Sequence, residues 1–204
     1  MSRAYHTIKE KRNELSIAAI SLVLVGVTYW LYTRVGLVPT LIIGGSAWLA
    51  LGAWLFTTYR HPVEPDRVLP LYLLLIAAEL VHMAEEYLTG FPHKVSELTG
   101  ATMSQDIFVV AFVMGGTILA LMSAAGLFYG NPFANYYLWF VIIGPGFVNG
   151  IAHIVFPIMA GTLYFPGLAT VALPVIIGIM LIVRIYRDTR SAQRTEQDGS
   201  RTSV

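Results

Sequence analysis

Four ionisable residues stand close together inside an otherwise apolar stretch of this chain. Glu79, His82, Glu85 and Glu86 fall within eight consecutive residues. A charged side chain at the centre of a membrane helix costs about 2.5–3.5 kcal/mol on insertion scales, so these groups need partners. At about 100° per residue, Glu79, His82 and Glu86 share one helical stripe, whereas Glu85 is offset by about 100° from Glu86. A metal ion, a proton or a polar substrate would supply the partners.

A second polar pair, Asn149 and His153, occurs in a later apolar segment. His82 and Glu86 are about one helical turn apart, as are Asn149 and His153, so each pair would project from one face of its helix. Helix bundles build metal and proton sites from such stacked polar groups on facing helices. The four residues therefore form one candidate site.

Two imidazoles and a carboxylate are a common ligand set for catalytic zinc, which keeps a fourth position open for water and lowers the pKa of that water to about 7. The candidate ligands of a divalent metal, with zinc favoured over iron, are His82, Glu86 and His153. In this hypothesis Glu85 or Glu79 is the general base or orients a ligand, and Asn149 donates a hydrogen bond to a developing oxyanion. The reaction would be hydrolysis of an ester or amide in a lipid-like substrate that enters from the outer leaflet.

Three other functions fit the same residues. Glu79 and His82 form one Glu-x-x-His string of the kind that di-iron bundles use, but a complete di-iron site needs two such strings. A metal-free isomerase or lyase would use a buried glutamic acid as proton donor. A small proton- or cation-coupled transporter is the main alternative, because intramembrane Glu and His chains relay protons. Gly144-Pro145-Gly146 would break or bend the helix before Asn149, as broken helices do in transporters.

The composition indicates that these residues belong to a membrane protein. Hydrophobic residues make up 56% of the chain and charged residues 12%, about half of the roughly 25% that is typical of soluble domains. The chain has no cysteine, which excludes disulfides, thiolate zinc sites and cysteine nucleophiles. Its net charge of +1 gives no reason to expect nucleic acid as a partner.

Apolar runs of about 20 residues, long enough to cross the hydrocarbon core as helices, occur six times. Their approximate ranges are 15–33, 37–59, 68–89, 107–129, 135–159 and 163–184. We therefore predict an all-α integral membrane protein in which six transmembrane helices form one domain, residues 15–186. Residues 1–14 would be a cytoplasmic segment, and the polar residues 187–204 a disordered cytoplasmic tail.

Positive charge predicts the orientation. With the N-terminus in the cytoplasm, the segments on the inner side hold eleven of the thirteen Lys and Arg residues, and the outer connections hold only Arg34 and Lys94. Because Lys and Arg concentrate in cytoplasmic loops, both termini are predicted to be cytoplasmic in a multi-pass protein of the cell membrane.

In that topology the third and fifth segments run in the same direction. Counted from the inner end of the third segment at about 1.5 Å per residue, His82 and Glu86 lie about 21 and 27 Å deep. Asn149 and His153 lie at about 21 and 27 Å in the fifth segment. We therefore expect the two pairs to meet.

The string His82-Met83-Ala84-Glu85-Glu86, with Asn149-Gly150-Ile151-Ala152-His153 in a later apolar segment, resembles the HXXEE domain family. These are small prokaryotic integral membrane proteins in which the motif is paired with a downstream Asn and His. The resemblance covers about residues 15–186. It implies a membrane fold and a functional role for the motif residues, and it implies no particular reaction. The expected partners are the lipid bilayer and an apolar or lipid-like small molecule, with a homo-oligomer as an open alternative.

Overall fold

A computed structural model describes the backbone of residues 3–201 and the side chains of residues 14–190. Within these residues the chain forms helices joined by turns and contains no strand. The seven helices described are α1 Arg3–Arg34, α2 Leu37–Phe56, α3 Pro65–Leu88, α4 Phe91–Thr99, α5 Gln105–Leu127, α6 Pro132–Ala160 and α7 Ala172–Arg201. The all-α prediction is confirmed.

Five helices are long and apolar enough to cross a bilayer, namely α2, α3, α5, α6 and the part of α1 from Glu14 to Arg34. They correspond to the first five predicted segments. Large apolar side chains lie on the outside of the bundle, such as Leu22 at 74% exposed and Leu41 at 64% exposed. Extensive apolar surface of this kind suits lipid better than water. The fold is therefore compatible with a multi-pass membrane protein, while the count of six spans and the location of the termini stay predictions.

The sixth predicted span needs correction, because α7 begins at Ala172 and not near residue 163. Residues 161–171 form a non-helical loop, which we call the 161–171 loop. Pro166 and Gly167 lie at its centre, and Gly167 has a φ of 90°, which side-chain-bearing residues rarely adopt. Proline lacks a backbone donor, so this pair prevents a continuous helix. The apolar part of α7 up to Tyr186 is therefore only about 22 Å long.

Helix α7 continues to Arg201, whereas the sequence predicts a disordered tail from residue 187. Arg184 and Asp188 form an ion pair one turn apart at 3.1 Å. Asp188 also lies 3.2 Å from Arg67 of α3. These contacts fasten the first turn of the tail to the bundle. Residues 202–204 lie outside the described part of the chain.

Helices α3, α6 and α7 form the centre of the bundle. Helix α7 packs along α3 and along the middle of α6, and α2 and α5 pack against the first half of α6. One apolar core includes Trp54, Tyr72 and Leu138. A second, smaller core includes Phe91 and Phe156. The polar residues of α3 and α6 follow the parts of these helices that enter the first core.

The Gly144-Pro145-Gly146 string does not break α6. Residues Ile142–Val148 instead form a π-helical turn. A wider turn of this kind accommodates a proline that cannot donate the usual helical hydrogen bond. A Cβ added to Gly146 would lie 4.0 Å from the Cα of Gly178, so the two glycines let α6 and α7 approach closely. The helix therefore continues to Asn149 and beyond.

Candidate metal centre

Two polar contacts join α3 to α6. Nδ2 of Asn149 lies 2.9 Å from Nε2 of His82, and Nε2 of His153 lies 3.0 Å from Oε1 of Glu86. Both pairs are separated by 67 residues along the chain. A constant separation means that the two helices run parallel and in register over this turn. The predicted convergence of the two polar pairs is confirmed.

His82, Glu86 and His153 form a compact group whose ligand atoms all lie within 4.8 Å of one another. Oε1 of Glu86 is 3.6 Å from Nε2 of His82 and 3.0 Å from Nε2 of His153. Ligands placed about 2.0–2.1 Å from a tetrahedral zinc ion are about 3.3 Å apart. Two of the three separations lie on either side of that value and the third lies within 4.8 Å, so the group could hold a metal ion once its ligand atoms draw closer together.

These three residues are buried in the protein. Both histidines are 0% exposed and Glu86 is 4% exposed. Burying an ionised carboxylate without a compensating charge is costly. Glu86 therefore requires a cation or a proton in this position.

A chain of hydrogen bonds orients His82. The hydroxyl of Thr170 donates to Oε2 of Glu85 at 2.6 Å, because a carboxylate can only accept. Oγ1 of Thr170 lies 3.1 Å from Nδ1 of His82 and, because its own proton goes to Glu85, is the acceptor for that nitrogen. We assign the proton of neutral His82 to Nδ1, so the lone pair of Nε2 accepts from Nδ2 of Asn149 and Nε2 lies 3.6 Å from Oε1 of Glu86. Histidines that bind metals commonly have their second ring nitrogen held in this way.

Glu85 is hydrogen-bonded to the 161–171 loop, and its oxygens are not among the three grouped ligand atoms. Its Oε1 accepts from the Tyr164 hydroxyl at 2.7 Å and from the Ala169 N–H at 3.2 Å. Its Oε2 accepts from the N–H of Thr170 at 2.9 Å in addition to the hydroxyl. These N–H groups lie just before α7, so Glu85 of α3 holds the end of the loop beside the start of that helix. Partial burial and the hydrogen bond to Glu85 raise the pKa of Tyr164 above its usual value.

Gly167 brings the loop backbone against both imidazoles. A Cβ added there would lie 2.3 Å from Cε1 of His153 and 2.8 Å from Cε1 of His82. Only glycine allows this approach. Nδ1 of His153 has no hydrogen bond of normal geometry and only a weaker interaction with the backbone of Pro166. When Nε2 binds a metal the proton resides on Nδ1, and the Pro166 carbonyl is then its acceptor.

Glu79 lies on the same helix but outside the hydrogen-bonded group. It is 6% exposed, and its Oε1 has no hydrogen-bond partner. No hydrogen bond joins it to His82 or Glu86. Its predicted part in catalysis stays a prediction.

The sequence does not predict three loop residues as members of the site, namely Tyr164, Gly167 and Thr170. Their contacts with Glu85 join positions about 80 residues apart, so no local pattern reveals them. The Pro166-Gly167 dipeptide is the one available signal, because Pro-Gly marks a turn within an apolar run. It indicates the loop but not its partners.

Fold and site together define a bundle of apolar helices, compatible with a membrane protein, that encloses a His/Glu group able to hold a metal. Residues 73–182, more than half of the chain, match the family described as "Protein of unknown function with HXXEE motif". The chain belongs to this family, which confirms the resemblance seen in the motif. The matched range contains all the polar residues of the site. Among curated proteins and solved structures, none matches this chain.

Proposed function

We propose that the protein is a metal-dependent membrane enzyme whose ion is bound by Nε2 of His82, Oε1 of Glu86 and Nε2 of His153. The observation that carries this proposal is the spacing of the three ligand atoms, all within 4.8 Å of one another. The fixed lone pair of His82 supports it. Zinc is favoured because two imidazoles with one carboxylate suit it, whereas a di-iron centre requires several carboxylates.

An ion bound in this way supplies a Lewis acid and a water of lowered pKa. Three protein ligands leave a fourth position for an oxygen atom. Nδ2 of Asn149 donates to Nε2 of His82 at 2.9 Å in this structure; an ion on that nitrogen would displace this bond and free the amide to donate to such an oxygen. Glu85 orients His82 through Thr170, because each oxygen of Glu85 already accepts two hydrogen bonds. We propose hydrolysis of an ester or amide in an apolar, lipid-like molecule as the reaction.

Enclosure of the site favours one second candidate, a proton- or cation-coupled transporter. Both histidines are 0% exposed, as expected for the occluded state of a carrier. Tracer accumulation in liposomes that depends on Glu86 would favour transport. Turnover of an ester or amide by the detergent-solubilised protein would favour the enzyme.

Metal analysis of the purified protein tests the ligand assignment, and the chain contains a matched control. His93 and Glu97 of α4 form an exposed His–Glu pair at 3.3 Å with the same four-residue spacing as His82 and Glu86. We expect about one zinc per chain in the wild type and in His93→Ala, and less than about a tenth of that in His82→Ala. A wild type that stays metal-free after reloading with zinc would overturn the proposal. So would a His82→Ala protein with wild-type zinc content.

We also propose that the protein lies in the cell membrane with both termini in the cytoplasm, on the strength of its Lys and Arg distribution. The absence of cysteine makes labelling of single introduced cysteines unambiguous. Lys94→Cys, between α3 and α5, should react with a membrane-impermeant maleimide on intact cells. Arg60→Cys, between α2 and α3, should react only after lysis. The opposite pattern would reverse the topology.

A further inference from the structure

The histidine pair is closed off by the 161–171 loop. Both imidazoles are 0% exposed, and the backbone at Gly167 lies directly against them. The loop is the one non-helical element that touches both rings in the described part of the chain. Movement of the loop would therefore open a way for a ligand to the metal-binding atoms.

An aromatic side chain of the loop fills a space beside the site. Phe165 is 3% exposed, and its ring centroid lies 5.2 Å from that of Phe156 and 6.1 Å from that of Phe91. The rings of Phe91 and Phe156 lie 5.4 and 6.3 Å from the imidazole of His153. The Phe165 ring thus occupies an apolar space whose walls also contact a candidate metal ligand.

Most of the hydrogen bonds that hold the loop over this space go to one carboxylate, and one more joins Thr170 to His82. Glu85 accepts hydrogen bonds from Tyr164, Ala169 and Thr170. The backbone bonds of the loop join near neighbours, such as Leu168 to Phe165 and Val171 to Gly167. Local bonds survive when a turn moves as a unit. Release from Glu85 would therefore let the turn leave intact and carry the Phe165 ring with it.

We infer that the space filled by the Phe165 ring is a subsite for the acyl or alkyl chain of the substrate, emptied when the 161–171 loop moves aside. Its walls are the rings of Phe91 and Phe156, which offer no hydrogen bond and suit a hydrocarbon chain. Leu163 and Tyr164 beside it are 100% and 43% exposed, so the loop adjoins the outer surface of the bundle, where a lipid chain would arrive. This inference rests on the proposed function in one respect, namely that the polar end of the substrate would bind at the metal centre.

Two probes separate the subsite from the metal centre. Acetohydroxamic acid binds zinc but has no chain to fill the subsite, and octanamide has the chain but no strong metal-binding group. We would measure the affinity of each for the wild type, for Phe165→Ala and for Phe140→Ala, an aromatic truncation outside the site. Phe165→Leu provides a milder truncation that keeps the loop apolar. The same detergent is used throughout, so partitioning of octanamide cancels between proteins.

The expected result is that octanamide binds Phe165→Ala at least about tenfold more tightly than the wild type, because its chain no longer competes with the Phe165 ring. Phe165→Leu should show a smaller gain in the same direction, and Phe140→Ala no gain. Acetohydroxamic acid gains only from easier opening of the loop, so it should gain less than octanamide in Phe165→Ala and nothing in Phe140→Ala. Equal or weaker octanamide binding in both Phe165 variants would overturn the subsite. Failure of acetohydroxamic acid to bind the zinc-loaded wild type would instead overturn the metal centre and leave the octanamide result standing.

Discussion

Replacing Gly167 with alanine should displace the candidate metal ligands through a single added methyl group. The new Cβ would lie 2.3 Å from Cε1 of His153 and 2.8 Å from Cε1 of His82. Carbon atoms in contact are normally about 3.5–4.0 Å apart. The His153 ring, the loop or both must therefore move by more than about 1 Å, whereas metal–ligand distances tolerate only about 0.2 Å.

The energetic effect has two parts. Alanine at a φ of 90° costs about 1–2 kcal/mol in backbone strain. Overpacking against two buried rings adds about 1–3 kcal/mol. We expect a loss of about 2–5 kcal/mol in stability and a zinc affinity at least about tenfold weaker than that of the wild type.

The control is Gly90→Ala, because Gly90 has a φ of 79° but nothing within 4 Å of an added Cβ. It reproduces the backbone strain without the collision. Zinc affinity would be measured by competition with a chelator, and stability by thermal unfolding in detergent. If Gly167→Ala binds zinc within about twofold of Gly90→Ala, the loop does not lie against the histidines and the reasoning fails.

Three further outcomes follow from the same contacts. In a protein that carries Val171→Cys, a buried position at the end of the loop, Glu85→Gln should raise the rate of thiol labelling several-fold because the charged acceptor of the loop's hydrogen bonds is lost. Glu97→Gln should not raise it. Thr170→Val should weaken zinc binding about 10–100-fold by removing the hydroxyl that orients His82. Thr162→Val, in the same loop, should leave the zinc affinity unchanged. Equal zinc affinities of the two variants would exclude the orienting role of Thr170. Glu86→Gln should abolish stoichiometric zinc binding, as judged by metal analysis, and the exposed control Glu97→Gln should not. If Glu86→Gln retains one zinc per chain, Glu86 is not a ligand.

The residues that meet between α3 and α6 can be predicted from the sequence because helical geometry is local. A four-residue spacing places His82 above Glu86, and Asn149 above His153, whatever the rest of the chain does. The length of the apolar runs then sets their depth, and equal depth is sufficient to suggest that they meet. The separation of 67 residues in both contacts shows that the two pairs are in register, as equal depth requires.

Glu85 shows what helical geometry alone does not predict. Its offset from the stripe correctly separates it from the grouped ligand atoms, but helical phase does not say what it faces. Its four hydrogen-bond donors belong to residues 164–170, and the same region was expected to begin a continuous span. A run of apolar residues looks alike in a helix and in a buried loop, so hydropathy alone does not distinguish them.

The sequence by itself determines an all-helical, strongly apolar chain and the pairs of polar residues that share a helical face, because both follow from composition and from a periodicity of a few residues. Only the tertiary structure decides that a glycine backbone covers the two histidines, that Thr170 connects His82 to Glu85, and that Phe165 fills the space beside them. Those contacts join the 161–171 loop to α3, about 80 residues away, and to the end of α6, and they depend on where the chain leaves the helix at residues 161–171. No short-range pattern carries that information.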